Sequence, residues 1–245
     1  MIKKNETQNT ELIFGIHPIV ELLKAKRRKL RIIYTTKPTP KAWDQIAPLL
    51  PKAIQIQYVD REVLHKLAQS TDHQGVVAYA SPFIIRTKFF EPAKTPFLLL
   101  LDGIQDPRNL GAIIRSAYCT KVDGIIIVKK GGTGLTPAAL KAAAGLAEYL
   151  DIYIAPSASA ALLQLKTAGY HIYLAVLEKG ENALGVNYQD PCCMVIGSEG
   201  SGISPEIRKG GTLITLPQRR ADISYNASVA AGILLFTIAT RLKKI

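Results

Sequence analysis

Three polar stretches interrupt an otherwise apolar second half of the chain: DGIQDPRN (102–109), GSEGSG (197–202) and LPQRRADISYN (216–226). Just behind the first, LGAIIRSA (110–117) carries one arginine, Arg115, while Leu110, Ile113, Ile114 and Ala117 form the apolar face of a helix. Arg115 lies off that face and leans back over Gly111 toward Asn109. A guanidinium there suits a bidentate grip on phosphate, and the free amides at the helix start suit one too. A guanidinium is a hydrogen-bond donor only, so orientation and charge stabilisation are its chemistry, not proton abstraction. The same pattern by itself also describes a solvated arginine and an N-capping asparagine.

The second stretch spaces its glycines as G-x-x-G-x-G around one carboxylate, Glu199. Glycines at a strand end let backbone approach a ligand closely, although a tight turn with an exposed glutamate fits equally. The spacing is neither the G-x-G-x-x-G of dinucleotide folds nor a P-loop, which argues against hydride transfer and nucleotide hydrolysis. In the third stretch Ser224, Asn226 and Ser228 are good N-caps for a helix over 226–242. That helix, SVAAGILLF and onward, is apolar almost all round and is expected to be buried, with Ala230, Ala231 and Gly232 allowing close packing. Three cysteines and four histidines are too scattered for a zinc site or a disulfide framework, so no metal is expected.

Positioning these loops requires strands and helices in alternation. From 97 onward the pattern predicts strands at 97–102, 124–128, 152–155, 170–176, 192–197 and 212–217. Helices are predicted at 109–120, 137–150 with Thr136 as N-cap, 158–168 and 226–242, with a helical turn at 204–209. Short apolar strands between helices imply a mostly parallel sheet with helices on both faces, and such sheets bind ligands beyond the carboxyl ends of their strands. Residues 12–80 read as a separate small α/β domain, with helices at 15–26, 40–50 and 60–69 and strands at 30–36, 54–59 and 75–80. SPFIIRTKFFEPAKTP (81–96), with three prolines and no period, reads as a linker, dividing the chain into 1–80, 81–96 and 97–245.

Charge narrows the partner. The net charge is +12, with 15 basic against 7 acidic residues over 1–90 and 16 against 12 beyond, so the smaller N-terminal part is the more basic. KAKRRKLR (24–31) places Lys24, Lys26, Arg27, Arg28, Lys29 and Arg31 in eight positions. Cations at a helix end satisfy the dipole, but with the whole-chain charge they point to RNA. The longest apolar stretch, 227–239, falls short of the roughly 20 residues needed to span a bilayer, and the start lacks a secretion signal, so the expected location is cytoplasmic.

Together, DPRNLGAIIRSA, VIGSEGSGIS and LPQRRADISYNASVAAGILLF resemble, in order and separation, motifs one to three of the SpoU (TrmH-type) RNA ribose 2′-O-methyltransferases of the SPOUT superfamily. The stretch from FGIHPIVELL through HQGVVAYASP is similar to the L30e-like substrate-binding domain of the branch that methylates large-subunit (23S) ribosomal RNA. The resemblance implies a C-terminal deep trefoil knot, S-adenosyl-L-methionine as cofactor, a homodimer and an RNA substrate, ribosomal before transfer RNA. It places catalytic roles on Asn109, Arg115, Glu199, Ser224 and Asn226. Cofactor contacts fall on Ile196, Gly197, Gly200, Leu216, Pro217, Tyr225 and Asn226, and RNA contacts on Arg108 and Arg115 beside the basic run. The chain departs from the family's usual I-P-M-x-G and S-L-N at Gln218, Arg219, Arg220 and Tyr225. These departures either reshape the cofactor pocket or add RNA contacts, and they motivate the alternative of a catalytically silent RNA-binding or ribosome-assembly protein on the same fold.

Overall fold

The computed structural model describes residues 9–220 and 223–245. In chain order the first elements are β1 (Glu11–Phe14), α1 (Ile16–Ala25), β2 (Leu30–Thr35), β3 (Gln55–Tyr58), α2 (Arg61–Ala68) and β4 (Val76–Ala80). Next come β5 (Ile85–Arg86), β6 (Phe97–Asp102), α3 (Pro107–Cys119), β7 (Gly124–Val128), α4 (Pro137–Ala142) and β8 (Asp151–Ala155). The chain ends with α5 (Ala158–Ala168), β9 (His171–Ala175), β10 (Glu181–Asn182), β11 (Cys192–Gly197), β12 (Thr212–Thr215) and α6 (Ala227–Arg241). The chain divides into two compact units, one of residues up to 84 together with 135–149, the other of 85–134 and 150–245.

In the first unit four strands lie in the order β1-β4-β2-β3, antiparallel except for the β2–β3 pair. Alternation along the strands sends Ile13, Ile33, Val76 and Ala78 to one face, where Ile16, Ile19 and Leu22 of α1 cover them. Phe14, Ile32, Tyr34 and Val77 go to the other, under Leu64 and Ala68 of α2. The helix expected over 40–50 is two short 3₁₀ turns instead, Lys41–Gln45 and Ala47–Leu49, because Pro40, Pro48 and Pro51 crowd the segment.

Two further corrections concern this unit. The helix expected over 137–150 stops at Ala142: Ala144 and Gly145 both take positive φ, and a Cβ on Gly145 would lie 2.8 Å from the Pro18 Cα, so the close pass against α1 breaks the helix. Segment 135–149 thus packs with the N-terminal unit, although sequence reading assigned it to the C-terminal domain. Within this unit Arg28, taken from sequence as an RNA contact, is 4% exposed and bonds Glu148 Oε1 and Glu11 Oε2, each at 3.0 Å, and the Ser81 carbonyl at 2.7 Å. A guanidinium consumed by that many acceptors is not available to RNA. Lys24, Lys26, Lys29 and Arg31 of the same run are exposed, and Arg27 is half-buried.

The second unit is an eight-stranded sheet, parallel throughout, in the order β10-β12-β9-β11-β6-β7-β8-β5. Near-continuous apolar strands such as FLLLL and CCMVIG belong to such a sheet, which is buried on both faces. β5 lies inside the stretch read as a linker and pairs with β8, tied by an Arg86–Asp151 bond of 2.9 Å. α5 packs one face through Ala158, Ala161 and Leu165. On the other, α6 packs on α3 and β11. The expectation of an all-round buried final helix is corrected here: Ala231, Leu234, Leu235 and Ile238 are buried, but Val229, Ile233 and Phe236 form an exposed stripe. Composition alone did not distinguish a helix buried on every side from one with an apolar outer face.

Candidate active site

The chain runs from β6 outward through β7 and β8, then crosses to β9 on the far side of β11, so the strand order reverses at β6 and β11. Those two strands end together, Asp102 opposite Gly197, and their following loops face each other at the carboxyl edge. Pro107 at the first turn and Asp106 as N-cap start α3 two residues earlier than expected; the Asp106 carboxylate accepts from the Arg108 amide at 2.8 Å. Asn109 is therefore a helical residue and not the cap.

Freed from capping, Asn109 donates from Nδ2 to Glu199 Oε1 at 2.8 Å. Glu199 also accepts from the backbone amides of Gln105 at 3.2 Å and Asp106 at 3.5 Å. The Glu199 carboxylate thus sits just ahead of α3, where the helix dipole favours it. Partial burial pushes the Glu199 pKa up, but the bonds from Asn109 and the Gln105 and Asp106 amides outweigh it and hold the carboxyl below its ordinary range.

A residue not singled out from sequence secures the second loop. Asp102, 4% exposed, accepts from the Ser204 amide at 2.7 Å and from the Ser204 hydroxyl at 3.0 Å. Its signal was present: a carboxylate closing the all-apolar strand FLLLLD needs buried donors. The loop also closes on itself through reciprocal Ser198–Gly202 backbone bonds of 3.0 Å. A Cβ at Gly197 would lie 2.1 Å from the Gly202 carbonyl carbon and 2.3 Å from the Ile203 nitrogen, so only glycine fits.

Beyond these strand ends opens a cavity of about 860 Å³. Ile196, Gly197, Glu199, Gly200, Leu216, Ser224, Tyr225 and Asn226 all line it, so the second and third loops meet there as the motifs suggested. Arg208 and Gln218 line it as well. Asn226 caps α6, its Oδ1 accepting from the Ser228 amide at 2.9 Å and hydroxyl at 2.6 Å. Pro217 lies outside the lining, but its carbonyl accepts from the Tyr225 hydroxyl at 3.4 Å. Asn109 reaches the cavity only through Glu199. Arg115 and Arg108 are exposed on α3 and outside the lining, and Arg115 makes no hydrogen bond or ion pair among the described residues. No group of three His, Cys, Asp or Glu among the described residues could hold a metal.

The fold is shared with solved RNA methyltransferases. A crystal structure of an RNA 2′-O ribose methyltransferase superposes over 100% of this chain and 93% of its own, with a TM-score of 0.84 at 22% identity. The SpoU methyltransferase AviRb of Streptomyces viridochromogenes, solved with the cofactor AdoMet, does so over 97% and 92%, with a TM-score of 0.80 at 18% identity. Residues 96–236 match the SpoU rRNA methylase family, and residues 12–84 match the RNA 2′-O ribose methyltransferase substrate-binding family. The chain belongs to the SpoU rRNA methylase family. Among its relatives, the 23S rRNA (guanosine-2′-O-)-methyltransferase RlmB of Shewanella oneidensis is 35% identical over 92% of this chain and 95% of its own. The protein of that name in Blochmanniella floridana is 30% identical over 96% of each.

Proposed function

We propose that this protein is an S-adenosylmethionine-dependent methyltransferase that methylates a ribose 2′-hydroxyl in 23S ribosomal RNA. The observation that carries the reading is the convergence of the second and third motif loops on one cavity at the reversal point of a parallel sheet, in a chain of this family. The cavity fits the cofactor. It is large enough, and it offers apolar walls at Ile196, Leu216 and Leu234 beside the polar side chains of Ser224 and Asn226.

The cofactor, when bound, supplies an activated sulfonium methyl group. The protein's share is alignment and charge stabilisation, because a ribose hydroxyl is a weak nucleophile near neutral pH. In our reading Ile196, Gly197, Gly200, Leu216 and Tyr225 hold the cofactor, while Ser224 and Asn226 orient the reacting groups at the start of α6. Glu199 and Asn109 brace the first loop, which keeps the start of α3 and so Arg115 in place. Arg115 grips the target phosphate and stabilises the developing oxyanion, with a phosphate oxygen or water accepting the proton. Arg108 and the exposed cations Lys24, Lys26, Lys29 and Arg31 contact RNA backbone.

The remaining features of the reading rest on different supports. Residues 12–84 form the L30e-like RNA-recruiting domain, in line with their family match. A trefoil knot in the last segment accords with β12 lying beyond β9 while α6 returns to α3 and β11. The exposed stripe of Val229, Ile233 and Phe236 supports a homodimer. A ribosomal RNA substrate supports a cytoplasmic location. The test is to map ribose methylation in ribosomal and transfer RNA from cells with and without the gene. A 2′-O-methyl mark in 23S RNA that disappears on deletion is the expected result; a lost mark in transfer RNA alone, or no lost mark, overturns the assignment.

A further inference from the structure

The carboxyl edge of the second unit carries a further loop, outside the three motif stretches. β7 pairs with β6 in register, Leu101 opposite Ile127, just as β6 pairs with β11, so the three strands end at one level and their loops lie side by side. The loop after β7 is KKGGTG (129–134). The Lys129 amide donates to the Ala155 carbonyl at 2.9 Å and the Thr133 amide to the Ile104 carbonyl at 2.7 Å, so the loop is fastened at both ends, the second time to the first motif loop. Gly131 takes a φ of +78° at the turn, and a Cβ at Gly132 would lie 3.1 Å from the Ile104 carbonyl oxygen.

What this turn leaves outward is positive. Lys129 and Lys130 are exposed and make no ion pair among the described residues, and the amides of Lys130 and Gly131 donate to nothing there. Lys24, Lys66, Lys94 and Lys244, in comparison, each meet a carboxylate within 3.1 Å. Two free ammonium groups beside two free amides on a fastened turn attract an anion. Neighbouring strands lie about 4.8 Å apart, so the end of β7 stands about 10 Å from the end of β11, within reach of the nucleotides flanking one held at the cavity.

We propose that the turn at 129–132 grips the backbone of the RNA strand beside the target nucleotide. Lys129 and Lys130 pair with phosphates, and the Lys130 and Gly131 amides complete the contact. These are positioning residues: they set where the strand lies and read no base. The inference rests on the reading of the protein as an RNA methyltransferase.

The experiment uses the full chain and an unmodified 23S ribosomal RNA transcript, with filter binding across a salt series and methyl transfer from labelled S-adenosylmethionine. The double variant Lys129→Ala, Lys130→Ala is expected to bind the transcript about tenfold more weakly near 0.1 M salt and to flatten the slope of log affinity against log salt by about 1.4 to 1.8. KM for RNA should rise by the same factor, while kcat, cofactor affinity and melting temperature stay as in wild type. Lys129→Arg, Lys130→Arg keeps the charge and is expected to retain wild-type binding. Lys166→Ala, which removes an exposed cation from α5, is expected to change nothing. An alanine pair with wild-type affinity and salt slope overturns the proposal, as does an arginine pair as weak as the alanine pair or an equal loss in Lys166→Ala. A wild type that binds the transcript but transfers no methyl group overturns the functional reading alone, since the binding measurements still decide the turn; a wild type that does not bind it overturns both.

Discussion

Glu199 is held by three donors, two of them backbone amides ahead of α3, and its carboxyl is ionised more readily in the fold than in the unfolded chain. Its contribution to stability is therefore fully present above the ordinary value of 4.5 and is lost as the pH falls through the lower folded value. Because the residue is exposed, Glu199→Gln is expected to lower the unfolding free energy at pH 7 by no more than about 1 kcal/mol. Urea titrations from pH 3 to 7 should show the gap between variant and wild type closing below pH 4.5. Arg115 has the opposite character, exposed and without a hydrogen bond or ion pair among the described residues. Arg115→Lys should leave cofactor affinity and melting temperature unchanged while turnover drops about 100-fold, because an ammonium cannot reproduce the bidentate fork. A lysine variant with wild-type turnover would exclude the phosphate grip. Among single residues, the sequence revealed which types could act, while Asp102, Arg208 and the burial of Arg28 needed the fold.

The loops are as specified as the elements they join. Gly197 ends β11 against the backbone of Gly202 and Ile203, so Gly197→Ala forces backbone apart rather than a side chain aside. It should cost about 3 kcal/mol of stability and abolish cofactor binding, measured by thermal unfolding with and without S-adenosylmethionine. Arg28 ties β1 to the turn at 146–149 through a pair of buried charges. Arg28→Ala leaves the 2%-exposed Glu148 unpaired and is expected to destabilise by about 3–5 kcal/mol, with RNA affinity affected no more than stability. Losing RNA binding without losing stability would return Arg28 to the interface. Helix periodicity located α1, α3 and α5 within one or two residues. It failed at 40–50 and 137–150, where prolines and a close backbone pass outweighed the apolar spacing.

At the scale of the molecule, the outward stripe of α6 departs from a self-contained fold. Val229 is 48% exposed, Ile233 37% and Phe236 60%, at positions that share one side of the helix. Apolar side chains so grouped are expected to be covered by a second copy. Sedimentation should give a dimer for the wild type and a monomer for Phe236→Lys, with the fold retained because Phe236 contributes little to the core. A monomeric wild type would remove the dimer from the functional reading. In the proposed function the basic N-terminal part attracts RNA and the cavity in the second unit holds the cofactor, and the whole-chain charge of +12 is in keeping with such a partner.

The sequence by itself determined the parallel α/β class, the strands from β6 to β12 that carry the apolar runs, and the three loops from which the candidate site is built. Those properties are local: a period, a cap, a glycine spacing or a proline acts within a turn or two of itself. Only the tertiary structure decided which loops meet. Asn109 bonds a carboxylate 90 positions away, and Asp102 bonds a serine 102 positions away, because strand order in the sheet sets β6 beside β11. Strand order also explains why Glu199 reaches the loop ahead of α3, and packing decided that Arg28 is enclosed while Lys26 and Lys29 are exposed. Periodicity shows which face of an element is apolar; what covers that face depends on partners distant in the chain.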